Sequence, residues 1–310
     1  MSYVRPAELI VSLADAGESK IRMRTSDTVV KAVMGGAFLS LGAAFAVTVT
    51  VMTGSSLLGA LLFPIGFVLL YLLGYDLLTG VLVLGPIAWL DRTRGITARA
   101  VLRNWGLVFV GNLIGALMVA VLMGIVVTYG FAVPPNEVGE AIGDIGHGRT
   151  VGYSEHGGAG MLTLFVRAMM CNWMVSTGVI GAMMAKDLLG KVVAMWLPIA
   201  LFFFMGFEHS IVNMFLFPSG LLLGGDFTLS DYLVWNEIPT LLGNLVGGLL
   251  FSVAPLVLLY GRAPTNHATE PTDGLDVLPA PAPAASRAPM STTAVAPERT
   301  RSPVLVTEEV

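Results

Sequence analysis

Gly206-Phe207-Glu208-His209-Ser210-Ile211-Val212-Asn213-Met214 sets a carboxylate and an imidazole near the middle of a long apolar segment. Gly74-Tyr75-Asp76-Leu77-Leu78-Thr79-Gly80 repeats the theme earlier in the chain, with Gly74-Tyr75-Asp76 matching Gly206-Phe207-Glu208. Pro86 matches Pro218, and Gly111-Asn112-Leu113-Ile114-Gly115 matches Gly243-Asn244-Leu245-Val246-Gly247. All three matches share one offset of 132 residues (206−74, 218−86, 243−111). A single match in a Gly-rich apolar chain carries little weight, but three at one offset mark two related halves.

The segments around these motifs are membrane-like. The chain of 310 residues is 55% hydrophobic and 12% charged, with mean hydropathy +0.78, against roughly 25% charged in a soluble domain. No Asp, Glu, Lys or Arg occurs from Ala32 to Tyr75, Asn104 to Asn136, Ala168 to Ala185 or Ile238 to Gly261. Each block holds a span of about 18–20 residues. Six spans fall near 28–52, 57–90, 104–128, 160–185, 192–222 and 238–261, three in each half. The second and fifth, about 34 and 31 residues long, would reach roughly 50 Å as single helices against a hydrocarbon core of about 30 Å. Each is interrupted by a carboxylate, Asp76 or Glu208. A straight helix would hold those groups in lipid at a cost of a few kcal/mol or more. Both spans therefore read as broken helices in which Asp76 and Glu208 cap freed N–H groups.

An odd number of spans per half turns the second half over relative to the first, an inverted repeat of the kind found in transporters and channels. The expected fold is thus an all-α integral membrane protein of six spans, as two inverted three-span repeats (28–128 and 160–261) with broken second and fifth helices. Arg5, Lys20, Arg22, Arg24, Lys31, Arg92, Arg94, Arg99, Arg103, Lys186, Lys191 and Arg262 fall on one side. The opposite loops offer Arg149 among acidic residues that include Glu137, Glu155, Asp231 and Glu237. The Lys/Arg bias puts both termini in the cytoplasm of a multi-pass cell-membrane protein. Residues 1–27 are polar, mixed in charge and without an apolar h-region, so they read as a retained soluble arm. Residues 262–310 hold eight of the seventeen Pro and read as a disordered cytoplasmic tail.

An ionisable pair inside a span is functional by default. His209 can donate a hydrogen bond to an anion or pass it a proton, since free imidazole titrates at about 6.5. Glu208 reads more simply as a cap. Thr79 puts a hydroxyl beside Leu77 and Leu78, a polar point flanked by an apolar gate. Asn172 either orients His209 or binds helices together, the second reading being the simpler. Asn112 and Asn244 sit among small residues and read as structural. Phe202, seven residues before His209, is a candidate apolar constriction, as is Phe63. No phosphate loop, HExxH pair or nucleophile elbow occurs, and four His with the lone Cys171 make a poor metal inventory. The expectation is a non-enzyme without metal or cofactor.

The segment from Gly206 to Met214, ending in Pro218-Ser219-Gly220, is similar almost residue for residue to the fifth-span signature of the formate/nitrite transporter family. Arg167-Ala168-Met169-Met170-Cys171-Asn172-Trp173 resembles the family's fourth-span motif, and Asp76-Leu77-Leu78-Thr79-Gly80 its second-span loop. The resemblance covers about residues 28 to 261. It implies a homopentamer of aquaporin-like protomers, each with its own pore, moving small monovalent anions (formate, nitrite, hydrosulfide) with or as their protonated acids. It also implies that His209 is the central pore histidine with Asn172 as neighbour, Thr79 the loop hydroxyl, and Leu77, Leu78, Phe63 and Phe202 the constriction. The family usually carries a lysine in the outer vestibule sixteen residues before the Asn172 position. Here that position is His156, preceded by Glu155, and no Lys lies between Lys31 and Lys186. The substitution leaves two alternatives open: the same fold passing a neutral or cationic solute such as water or ammonia/ammonium, and a membrane scaffold or sensor acting through its tail.

Overall fold

Two breaks at matching places organise the architecture. The protein, seen as a computed structural model, is described over residues 3–261; the expected disordered tail over 262–310 lies outside the described residues. Among the described residues every regular element is helical, with one isolated bridge between Tyr3 and Ala185. The chain runs α1 Pro6–Arg22, α2 Thr25–Thr53, α3 Ser56–Leu62, α4 Pro64–Leu72, α5 Leu78–Leu90 and α6 Ala98–Val127. It continues with α7 Glu137–Gly148, α8 Val151–Ser154, α9 Gly157–Met184, α10 Leu188–Phe204, α11 Ser210–Leu222 and α12 Leu229–Tyr260. Helices α2, α6, α9 and α12 are long and apolar enough to cross a bilayer unaided. Helices α5 and α11, 13 residues each, reach only about 20 Å.

Both breaks are written in glycine. Gly74 and Gly206 adopt φ +74° and +65°, the left-handed conformation that ends a helix without a Cβ penalty. Gly74 N–H bonds the Tyr71 carbonyl and Tyr75 N–H the Leu70 carbonyl; Gly206 bonds Phe203 and Phe207 bonds Phe202 in the same pattern. These are two Schellman stops, closing α4 and α10. The chain then runs extended through Asp76-Leu77 and Glu208-His209 before α5 and α11 begin.

The freed backbone groups are satisfied by two asparagines. Asn112, on α6, donates to the carbonyls of Ala32 (2.7 Å) and Asp76 (2.9 Å) and accepts from Leu78 N–H (2.9 Å). Asn244, on α12, donates to the carbonyls of Ala168 (2.8 Å) and Glu208 (2.9 Å) and accepts from Ser210 N–H (3.0 Å). Both are fully buried, and both need their helix pressed against its neighbour. Gly115 and Gly247 permit this: a Cβ at either would overlap the main-chain carbonyl of Val33 on α2 or Met169 on α9. Hence the Gly-Asn-Leu-x-Gly motif recurs in the two halves.

The capping assignment of Asp76 and Glu208 is corrected. Neither carboxylate receives an N–H of the helix that follows; the asparagines take the first amide of each, and the two acids are free for other partners. The N-terminal stretch is likewise more than a soluble arm. Leu9, Leu13, Ala14 and Ile21 are buried, and α1 packs along α5 against Val83, Leu84 and Ile87. Arg94, after α5, ties it down through Asp15 and Glu18 and is itself held by Asp91, each at 2.8 Å. The Thr93 hydroxyl and then Arg94 hold Asp91 below the ordinary carboxylate range. That contribution is present above the unfolded pKa and is lost as pH falls through the folded one. The last helix begins nearer the loop than the charge pattern suggests, and Glu237, read as a loop residue, is buried within α12 at a π-turn.

Asn112→Leu and Asn244→Leu each strand three buried backbone groups, at about 1–3 kcal/mol per group. Both substitutions are expected to lower the midpoint of heat-induced aggregation of the purified protein by many degrees. A midpoint unchanged in both would contradict the clamp.

Candidate functional site

The two breaks meet at one contact. The first residues past them include Thr79, in the first turn of α5, and His209, the N-cap of α11. Thr79 Oγ1 and His209 Nε2 lie 3.3 Å apart, and both side chains are buried. His209 Nδ1 accepts from the amides of Ile211 (3.1 Å) and Val212 (3.3 Å). An imidazole nitrogen that accepts carries no proton, so the neutral ring has its hydrogen on Nε2 and donates it toward Thr79. This tautomer is assigned from the hydrogen-bond partners. The ring thus caps its own helix with one nitrogen and offers an N–H with the other.

An apolar collar surrounds the pair. The Phe202 ring lies 5.6 Å from that of His209 at an interplanar angle of 23°, and Phe63 meets Phe202 edge-on at 5.5 Å. Leu77 and Leu78 precede Thr79 and are buried. On the α1 side, Lys20, Phe67, Tyr71, Tyr75, Leu77 and Gly80 line a small cavity of about 50 Å³. Asn172 does not orient His209: it donates to the Asn244 carbonyl (2.7 Å) and packs Ser176 beneath it. Its work is joining α9 to α12, the plainer of the two readings.

Each break also carries one buried carboxylate paired with a cation from another element. Asp76 is bound by Lys20 of α1. Glu208 is held by Arg149 Nη1 at 3.7 Å, the Tyr153 hydroxyl at 2.8 Å, and the amides of Asn213 (3.0 Å) and Asn236 (3.2 Å). Four polar groups thus surround an acid that the sequence assigns to capping. Lys20, Tyr153 and Asn236 were not legible as partners. The signal available was that a paired Asp76 and Glu208 each demand a buried-charge counterpart.

His156 and Glu155 are exposed at the start of α9 and line a larger cavity of about 530 Å³ with Tyr153, Ala159, Gly160, Thr163 and Arg167. Neither has a hydrogen bond to Thr79 or His209 among the described residues; Tyr153, which lines the cavity, is bonded to Glu208 at the break. Among the described residues no cluster of His, Cys, Asp and Glu could hold a metal ion, and Cys171 is buried and free.

Removing one member of a buried ion pair leaves an unbalanced charge worth up to about 3–5 kcal/mol. Arg149→Gln is therefore expected to destabilise the purified protein sharply, and Glu208→Gln added to it to recover part of the loss. Thermal midpoints of the two single variants and the double variant check this. Strictly additive losses would contradict the pairing.

The chain matches the family described as formate/nitrite transporter over residues 7–258. It is 31% identical over 263 residues to an uncharacterized transporter, YrhG, of Bacillus subtilis, covering 81% of this chain and 91% of that one. It is 32% identical over 265 residues to a probable formate transporter of Methanothermobacter thermautotrophicus, covering 81% and 94%. Among solved structures, a pentameric formate channel with formate bound is similar with TM-score 0.63 and 27% identity, over 77% of this chain and 98% of that one.

Proposed function

The chain belongs to the formate/nitrite transporter family, and on that premise we propose that it is a channel-like transporter for small monovalent weak acids such as formate, nitrite or hydrosulfide. The observation that carries the reading is the contact between Thr79 and His209 inside a collar of Leu77, Leu78, Phe63 and Phe202. A bare anion has no solvation in such a collar. The N–H at His209 Nε2 and the hydroxyl of Thr79 supply hydrogen bonds within it, and the solute crosses the apolar rings with or as its protonated acid. Because Nδ1 already accepts two amides, the ring acts as a hydrogen-bond donor, and lower external pH favours flux by populating the acid form.

On this reading residues 28–261 cross the membrane six times as two inverted repeats. Helices α3 and α4 with α5, and α10 with α11, each form one broken crossing, and α1 and the tail lie on the cytoplasmic side with the Lys/Arg-rich loops. The likeness to a pentameric formate channel supports a homopentamer, with a pore in each protomer. Asp76 and Glu208 anchor the breaks through Lys20 and Arg149, and Asn172 fastens the helix pair behind them.

The test is stopped-flow recording of internal pH in liposomes holding the purified protein. Formate or nitrite is expected to acidify the lumen faster than in empty liposomes, more so at low external pH, and His209→Phe to abolish the difference. An effect of ammonium with none of the weak acids would instead mean that Glu155 has changed the charge class of the cargo.

A further inference from the structure

The vestibule lysine that the family resemblance implies has His156 at its position in this sequence. His156 is a weak candidate for an anion collector: it is exposed, caps nothing, and adjoins Glu155.

The wall of the same cavity carries a stronger one. On α9, Ala159, Thr163 and Arg167 stand four residues apart and all line the cavity, as side chains at that spacing share a helix face. Ala159, Gly160 and Thr163 are small and stand on the same cavity wall as Arg167, which lies eleven positions after His156 and so about 16 Å further along the helix. Arg167 lies five residues before Asn172, toward the break. Its guanidinium is a rigid, planar cation. Among the described residues it gives one N–H to the Tyr153 hydroxyl at 2.8 Å and has no carboxylate in ion-pair reach. The remaining N–H groups form a planar fork suited to a two-oxygen anion.

Tyr153 completes the arrangement. Its hydroxyl accepts from Arg167 and donates to Glu208, so that one side chain links the cavity wall to the acid beside His209. Arg149 is already committed to Glu208, which leaves Arg167 as the cation facing the cavity.

We infer that Arg167 is the anion-collecting and specificity-determining cation of this chain, taking a small monovalent carboxylate or oxoanion in the outer cavity that it lines, in place of the absent lysine. The inference deepens the weak-acid reading above and rests on it. It replaces a flexible ammonium by a fork held in place by Tyr153, and it accounts for how a cavity that also carries Glu155 still draws anions inward.

The experiment measures formate uptake into liposomes against formate concentration, with wild-type protein as the first arm. Absence of weak-acid flux in that arm would defeat the functional reading and this inference with it. Given flux, Arg167→Gln is expected to raise the half-saturating formate concentration about tenfold, with a smaller change in maximal rate, and Arg167→Lys to restore most of the affinity. Thr163→Glu keeps the arginine but places a carboxylate four residues before it, where the two pair on the helix surface; the same rise is expected. This second variant carries the test if Arg167→Gln does not assemble. His156→Gln is expected to shift the half-saturating concentration less than about twofold, since it leaves the Arg167 guanidinium and its Tyr153 contact in place. A rise confined to His156→Gln, with normal affinity in Arg167→Gln or Thr163→Glu, would overturn the assignment.

Discussion

A helix that stops inside an apolar slab exposes N–H and C=O groups that no water can satisfy, and the structure depends on how this chain meets that demand. It does so twice with the same device. A left-handed glycine closes the first half-helix, and a buried asparagine from a neighbouring long helix takes the first amide of the second half. Asn112 and Asn244 each bond three backbone groups on two different elements. The break, the long helix and its glycine-mediated contact therefore form one unit. Shifting any of them would strand several hydrogen bonds at once.

Because the asparagines settle the backbone, the carboxylates at the breaks do something else. Asp76 reaches Lys20 on α1, and Glu208 reaches Arg149 with Tyr153, Asn213 and Asn236. Each acid fastens an outer element to a break: the N-terminal helix on one side, the α7–α8 corner on the other. Fixing both breaks brings Thr79 and His209 together within the phenylalanine and leucine collar. On the proposed weak-acid reading, a polar contact of two groups in an apolar ring rewards a solute that can hydrogen-bond and penalises one that stays charged.

Much of this was legible in the chain itself. The excess length of the second and fifth apolar segments forced breaks, the 132-residue offset paired them, and the Gly-Asn-Leu-x-Gly motif marked close helix contacts. His209, Thr79 and Phe202 stood out as the polar point and its cover, and they do meet. What stayed hidden depended on partners far away in the chain. Asp76 and Glu208 looked like caps because capping is the local use of a carboxylate at a helix start; their cations come from residues 56 positions away for Lys20 and from the α7–α8 corner for Arg149. The apolar stripe of Leu9, Leu13 and Ile21 was masked by the charges around it, so α1 looked like a free arm. Glu237 read as a loop residue because a charge normally ends an apolar block, yet Ser210 and the Tyr232 hydroxyl satisfy it within the helix.

The central claim is that the clamped breaks make one hydrogen-bonding point on the solute's path. A density map of the protein in lipid nanodiscs with formate present tests it most directly. The account predicts a formate-sized feature within hydrogen-bond reach of His209 Nε2 and the Thr79 hydroxyl, with Asn244 still bridging Ala168, Glu208 and Ser210. Formate bound elsewhere, with the His209 ring turned away and its Nδ1 released from the α11 amides, would contradict it.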